Sequence, residues 1–138
     1  MPPVIDPKVW AIMTIRQEAD GESINGKIAV AEVIRNRIRR HYFSDGTIVG
    51  TVLKAYQFSG WNTDDPNRIR IGSMEDTDPN TVLAFRAYSE AFEKESNLTS
   101  GAVLYHSILM KPFPGWASKD KIIRTTIIGR HIFYKDES

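Results

Sequence analysis

Cysteine is absent from this chain of 138 residues. Its absence excludes a disulfide framework and a thiolate metal site, but it leaves an extracytoplasmic destination open. The chain also lacks an apolar run of membrane-spanning length, and its first ten residues, MPPVIDPKVW, show no basic region followed by an apolar one. We therefore expect no stable membrane insertion, and synthesis in the cytoplasm without a recognisable signal peptide.

A large net charge is likewise absent, because 18 basic and 17 acidic residues leave a net charge of +1. Bulk electrostatics therefore does not hold the chain on an anionic polymer, and a nucleic-acid module normally carries more positive charge. Hydrophobic residues, by contrast, make up 41% of the chain, which is enough for one sizeable core. We predict a single domain over residues 1–138, and we expect a monomer that binds no nucleic acid.

Two predicted helices meet in residues 15–37, where Gly21 ends the first helix. Two carboxylates, Glu18 and Glu22, lie on either side of this break. The second helix is predicted over residues 25–41, with its core stripe formed by Ala31, Ile34 and Ile38. Because a helix break lies between the two carboxylates, their separation does not follow from the sequence.

The first helix is predicted to begin at Pro7, with Asp6 as its N-cap. At about 100° per residue, Glu18 projects from a mostly apolar face of this helix. The residues that share the face are Ala11, Thr14 and Ile15. Burial and the negative end of the helix dipole both disfavour a carboxylate there, so the pKa of Glu18 should be raised, as a general acid requires near neutral pH. The alternative is a side chain that reaches solvent in the last turn.

The second helix carries an acid and several bases. Glu32 interrupts an apolar run, so we expect it to pair with an arginine such as Arg35 or Arg16, or to face a polar cavity. The most basic run of the sequence contains Arg35, Arg37, Arg39, Arg40 and His41. We interpret it as a charged helix end near the negative pole of the dipole. The alternative is an anion-binding patch, which in a nucleic-acid binder predicts salt-sensitive binding to DNA.

The remaining elements indicate an α+β domain, because helices come first and strands follow. Thr47 is expected to cap a short helix over residues 48–56, and Asp78 precedes a third long helix over 79–94. The predicted buried side of this third helix comprises Val82, Phe85, Ala87, Tyr88, Ala91 and Phe92. Two or three antiparallel strands are expected in 102–106, 122–128 and 131–134, with a turn at Gly129-Arg130.

We expect no metal or other cofactor. A turn-rich loop and its C-terminal border contain four aspartates, Asp64, Asp65, Asp76 and Asp78. Their spacing lacks the regular alternation of an EF-hand calcium loop, and the closing glutamate of such a loop is missing. His106 and His131 could join Glu18 at a zinc ion, but neither an HExxH motif nor a paired histidine spacing occurs. In a strand, His131 is more often a packed or hydrogen-bonded residue.

The segment EADGESINGKIAVAEVIRNRI, residues 18–38, resembles the opening motif of the SleB-type cell-wall hydrolases, written EARGE-x3-G-x-x-AVA-x-V-x-x-NR. This family comprises spore-cortex-lytic enzymes and their bacterial and phage relatives. Later blocks follow in the family's order: Gln57-Phe58-Ser59 with Trp61, Gly101-Ala102 with Tyr105-His106, Pro114 with Trp116, and Thr126 to Tyr134. The departures are Asp20 where arginine is usual, Ser23 where proline is frequent and Lys27 where glutamine is frequent. Asp20 places a second negative charge near Glu18.

The resemblance implies the fold of lysozymes and lytic transglycosylases, with a mostly helical lobe, a smaller β-containing lobe and a groove between them. It implies an enzyme that degrades peptidoglycan, either an endolysin or a cell-wall hydrolase. Such an enzyme cleaves the β-1,4 bond between N-acetylmuramic acid and N-acetylglucosamine, with Glu18 as the general acid and base of a lytic transglycosylase. The substrate-binding residues that we predict are Glu22, Gln57, Ser59, Trp61, Tyr105, His106, Trp116 and Thr126. An amide, a hydroxyl and a flat aromatic face in the 57–61 segment suit a sugar.

Two alternatives remain open within the resemblance. A muramidase, with water as the nucleophile, needs a second carboxylate at one of two characteristic separations, for which Glu22 and Glu32 are the candidates. A non-catalytic wall-binding or virion structural protein on the same scaffold would bind peptidoglycan without releasing soluble fragments. With no recognisable signal peptide or wall-binding module, the sequence suggests delivery to the cell wall during phage lysis or with a virion.

Overall fold

The computed structural model describes residues 6–54 and 78–138 and shows the α+β architecture that the sequence predicts. The helices are α1 (Pro7–Glu18), α2 (Ile24–Arg40), α3 (Ile48–Val52) and α4 (Pro79–Tyr88), and α4 continues into a π-helical turn, Ser89–Glu93. The strands are β1 (Leu104–Ser107), β2 (Ile122–Ile128) and β3 (His131–Asp136), and a 3-10 helix, Gly115–Ser118, lies between β1 and β2.

Three helices begin where the sequence predicts, because a side chain accepts a hydrogen bond from the first turn in each case. Asp6 accepts from the backbone N–H of Lys8 at 3.0 Å, and Thr47 accepts from that of Gly50 at 3.0 Å. The third cap is Asp78, which accepts from the N–H of Asn80 at 3.3 Å. The predicted end of α3 is wrong, since the helix stops at Val52; residues 55 and 56 lie outside the described part.

The helices α1, α2 and α4 enclose the larger core. α4 and its π-helical continuation pack through a stripe of small residues, Ala84, Ala87 and Ala91, which are fully buried. Val82 and Phe85 are 53% and 52% exposed, so their predicted place on the buried side is wrong. The small side chains bring the backbone of α4 close to its neighbours, and this contact decides which face is covered.

The sheet is antiparallel in the order β1-β3-β2, so β3 is its central strand. Tyr105 lies opposite Phe133, and this face of the sheet packs on α2 through Ala29 and Val33. The residues on the other face include Leu104, Ile132 and Tyr134, which contact the segment around the 3-10 helix. Successive residues of one strand therefore enter two different environments.

Glu32 is fully buried and secures the loop that leads to the sheet. Its carboxylate accepts hydrogen bonds from Ser96 Oγ (2.7 Å), Leu98 N (2.8 Å), Thr99 N (2.9 Å) and Thr99 Oγ1 (2.8 Å). Within 6–54 and 78–138 it forms no ion pair with an arginine, so that prediction is wrong. The carboxylate substitutes for the backbone partners that an irregular loop lacks.

The basic run at the end of α2 does not form one surface patch. Arg35 is buried and donates to the carbonyls of Ala91 (2.8 Å) and Ser96 (2.6 Å). Arg37 is buried as well and donates to the carbonyl of Val103 at 2.6 Å. These guanidinium groups join α2 to other elements, which leaves fewer cations for an external anion. In the two described ranges, no helix has both the length and the apolar character that a bilayer span requires.

Candidate functional site

Glu18 is the last residue of α1, and the structure confirms the face on which it was predicted to lie. Ala11, Thr14 and Ile15, which share that face, are fully buried, whereas Glu18 itself is only partly buried. Its carboxylate therefore stands at the edge of the core, where an apolar wall meets accessible space. This is a suitable position for a proton donor that must reach a substrate.

Tyr105 of β1 is a hydrogen-bond partner of the Glu18 side chain. Burial raises the pKa of Tyr105 well above its ordinary value, and the charge of Glu18 and the hydrogen bond with it act in the same direction. The nearby Arg37 guanidinium opposes this shift. The phenol consequently keeps its proton and donates to the carboxylate. Glu18, Tyr105 and Arg37 form what we call the acid cluster.

The connector between α1 and α2, residues 19–23, is held from the inside by Lys27. Lys27 is fully buried, and its Nζ donates to the carbonyls of Ala19 (3.0 Å) and Glu22 (2.7 Å). Burial lowers the pKa of this ammonium group. Lys27 thus anchors the backbone that directly follows Glu18, at a position where the family pattern frequently has glutamine.

Glu22 lies in a narrow slot against the β2–β3 turn. Its side chain is 8% exposed, and Oε1 accepts a hydrogen bond from the backbone N–H of Arg130 at 3.0 Å. A side chain at Gly129 would clash with the Glu22 carboxylate, and one at Gly26 would clash with Glu22 Cβ. A side chain at either glycine would therefore displace Glu22 from the slot.

His131 connects this slot to the acid cluster, a role that sequence reasoning missed. Its Nδ1 is buried 3.5 Å from Glu22 Oε1 and has no hydrogen-bond partner in the described part of the chain. Burial lowers the pKa of His131, and the charge of Glu22 acts in the opposite direction. The imidazole ring packs edge-on against Tyr105, with 4.9 Å between ring centroids. A continuous series of contacts thus runs from Glu18 through Tyr105 and His131 to Glu22.

The structure separates two predicted site residues that are adjacent in sequence, because strand side chains alternate. Tyr105 faces Glu18, whereas His106 lies on the opposite face, where its Nε2 is 2.7 Å from the Tyr134 hydroxyl. Trp116 belongs to this second cluster, with its ring centroid 5.7 Å from His106 and 5.2 Å from Tyr134.

The remaining predicted substrate-binding residues fall in two places. Thr126 is partly buried on β2, next to an irregularity in the pairing with β3. Gln57, Ser59 and Trp61 lie outside the described residues, as do Asp64, Asp65 and Asp76 of the acidic loop. No group of three histidine or carboxylate side chains is placed to hold a metal ion in 6–54 or 78–138.

A cavity of about 820 Å³ adjoins the acid cluster, since Arg37 and Tyr105 both line it. Its volume lies in the range of small-molecule sites in proteins. The cluster therefore has space beside it for part of a bound molecule.

Replacing Tyr105 by phenylalanine is expected to lower turnover about tenfold, because the Glu18 carboxylate loses a hydrogen bond from a neutral donor. The unfolding temperature should change little, since the ring still packs on His131 and Phe133. Turnover measured across pH, together with thermal unfolding, checks this. Tyr88→Phe is the matched control, because Tyr88 stacks on Phe92 in the helical core. Equal turnover in Tyr105→Phe and wild type would contradict the role of the hydroxyl.

A family model described as Cell Wall Hydrolase matches residues 21–134, beginning just after Glu18. The fold is similar to the catalytic domain of the germination-specific lytic transglycosylase SleB from Bacillus anthracis, with a TM-score of 0.68 and 21% identity over 98% of this chain and 99% of that one. It is also similar to the catalytic domain of the Bacillus cereus SleB protein, with a TM-score of 0.67 and 19% identity over 98% of this chain and 94% of that one. No curated protein gives a significant match.

Proposed function

The chain belongs to the cell wall hydrolase family, and from this premise we propose that it degrades peptidoglycan as a lytic transglycosylase. The bond cleaved is the β-1,4 linkage between N-acetylmuramic acid and N-acetylglucosamine, and the place of action is the cell wall. The acid cluster carries the proposal: one accessible carboxylate, at the edge of an apolar core, is oriented by a phenol and lies near a guanidinium.

Glu18 acts twice in the proposed reaction. As the acid, it gives its proton to the glycosidic oxygen while the bond from that oxygen to C1 of the muramic acid breaks. As the base, the resulting carboxylate takes the proton of the 6-hydroxyl of the same sugar while O6 bonds to C1. The products are a 1,6-anhydro sugar end and a free 4-hydroxyl, and Glu18 regains its proton.

Tyr105 and Arg37 support the ionised stage of Glu18. The Tyr105 hydroxyl donates to the carboxylate and fixes its direction, and the positive charge of Arg37 stabilises the negative charge that Glu18 carries after it has given up its proton. The guanidinium is held in place by its 2.6 Å hydrogen bond to the Val103 carbonyl. Both groups are ordered by the protein before a substrate arrives, so they need little rearrangement during the reaction.

The other carboxylates near the motif favour this route over a muramidase. Glu22 is enclosed by the β2–β3 turn, and Glu32 is saturated by hydrogen bonds from residues 96–99. Asp20 pairs with Arg16 at 3.1 Å. A carboxylate that activates water must face the sugar ring with room for that water, and these three are otherwise engaged.

The nature of the products tests the proposal. Mass spectrometry of soluble fragments from purified peptidoglycan is expected to show anhydro-muropeptides for the wild type. Glu22→Gln should give the same products with most of the turnover retained, because its amide oxygen still accepts from the Arg130 N–H. Reducing-end muropeptides from the wild type, with turnover abolished in a folded Glu22→Gln variant, would establish a muramidase instead.

A further inference from the structure

The cavity beside the acid cluster has a wall of aromatic rings at the C-terminal end of α2. Tyr42 and Phe43 meet edge to face with ring centroids 4.9 Å apart, and Trp116 also lines the cavity. Phe43 is 48% exposed and has a φ of 47°, a left-handed conformation that is unfavourable for a bulky residue. The fold thus presents an apolar ring to the cavity at some cost in backbone strain.

The charged residues at the cavity favour an anion. Lys119 and Lys121 are exposed where the chain enters β2, and neither makes an ion pair within the described ranges. Of the two acidic side chains in the lining, Asp136 already accepts from the Tyr42 hydroxyl at 2.7 Å and from the Ser138 N–H at 2.8 Å. Asp120 is the other acidic side chain, and its negative charge offsets only part of the positive charge of the two lysines. Burial raises the pKa of Tyr42 to about 12, so this hydroxyl keeps its proton for Asp136.

We propose that this cavity binds the acidic peptide stem attached to the muramic acid whose bond is cleaved; the inference rests on the proposed function. The stem hangs from the same sugar ring that must reach Glu18, so it has to be accommodated next to the acid cluster. Arg37 and Tyr105 belong to that cluster and also line the cavity. Stem carboxylates fit Lys119 and Lys121, and the short aliphatic side chains of the stem fit the aromatic wall.

The test compares two soluble substrates: glycan strands whose stems carry free carboxylates, and the same strands with those carboxylates converted to amides. The double variant Lys119→Glu/Lys121→Glu is expected to raise KM about tenfold on the stem-bearing strands, with kcat little changed. On the amidated strands, which carry no stem carboxylate, its KM should equal that of the wild type. The matched control, Lys8→Glu/Lys111→Glu, makes the same change in net charge at exposed lysines that do not line the cavity.

The outcomes separate this proposal from the proposed function. If the wild type cleaves both substrates with equal kcat/KM and the cavity variant changes neither, the stem site is wrong and the enzymatic activity stands. A rise in KM of equal size on both substrates also overturns the stem site, because the lysines would then act on the glycan. A wild type that cleaves neither substrate overturns both proposals.

Discussion

Replacing Glu18 by glutamine is expected to lower kcat about a thousandfold, which is the range of a lost general acid. The amide has nearly the same shape and can still accept from the Tyr105 hydroxyl, but it neither gives the glycosidic oxygen a proton nor takes one from the 6-hydroxyl. Release of soluble fragments from peptidoglycan measures the loss. Thermal unfolding should be almost unchanged, since the side chain is only partly buried.

Asp20→Asn is the matched control for this experiment. It neutralises a carboxylate two positions further along, which pairs with Arg16 of α1 at 3.1 Å. Turnover in this variant should stay within a few-fold of the wild type. If Glu18→Gln kept most of its activity, Glu18 would not be the acid, and the acid cluster would have to be reinterpreted.

Replacing Glu32 by alanine is expected to reduce the free energy of unfolding by about 3–5 kcal/mol, a large part of the stability of a domain of this size. The substitution leaves the donors of Ser96, Leu98 and Thr99 without their acceptor in a buried region. Urea unfolding followed by circular dichroism measures the change. Because this segment leads directly into β1, activity should fall together with stability.

Glu137→Ala supplies the comparison, because the Glu137 carboxylate is half exposed and pairs with Lys135 at the surface. Loss of such an exposed ion pair lowers the free energy of unfolding by less than about 1 kcal/mol. The loss of unfolding free energy in Glu32→Gln should lie between the losses in Glu32→Ala and Glu137→Ala. The carboxamide keeps one oxygen as an acceptor, but its NH2 group faces hydrogen-bond donors. If Glu32→Ala lowered the free energy of unfolding by less than about 1 kcal/mol, the donors of residues 96–99 would have found other acceptors.

The starts of the helices could be predicted from sequence because they depend on contacts within a few residues. The caps Asp6, Thr47 and Asp78 each act on the first turn of their own helix. The strands were found for a similar reason, since β-branched runs and a glycine-containing turn are local signals. The end of α3 had no comparable signal, and the prediction extended past Val52.

Long-range partners could not be predicted in this way. Glu32 was correctly singled out as a buried acid, but its partners lie 64 to 67 residues further along the chain. The covered face of α4 likewise depends on how closely its alanines approach α1 and α2, which residue hydrophobicity alone does not reveal. Phe85 is therefore exposed despite its apolar side chain.

The candidate site was only partly accessible to sequence reasoning. Helical periodicity was sufficient to place Glu18 on a buried face, whereas Tyr105 was singled out by family resemblance. The alternation of β1 could have separated Tyr105 from His106, and the pairing of β1 with β3 explains why His131 packs on Tyr105. Nothing local indicated that Glu22 would be enclosed by the turn at Gly129.

The central position of β3 affects the order in which the protein can assemble during translation. β1 and β2 are both made before β3, yet each pairs with β3 and they do not pair with one another. A nascent chain that has not reached residues 131–136 can form helices by local contacts, but it cannot complete the sheet. During that interval Tyr105 lacks both His131 and Phe133, so we expect a competent acid cluster to form only after residues 131–136 have left the ribosome.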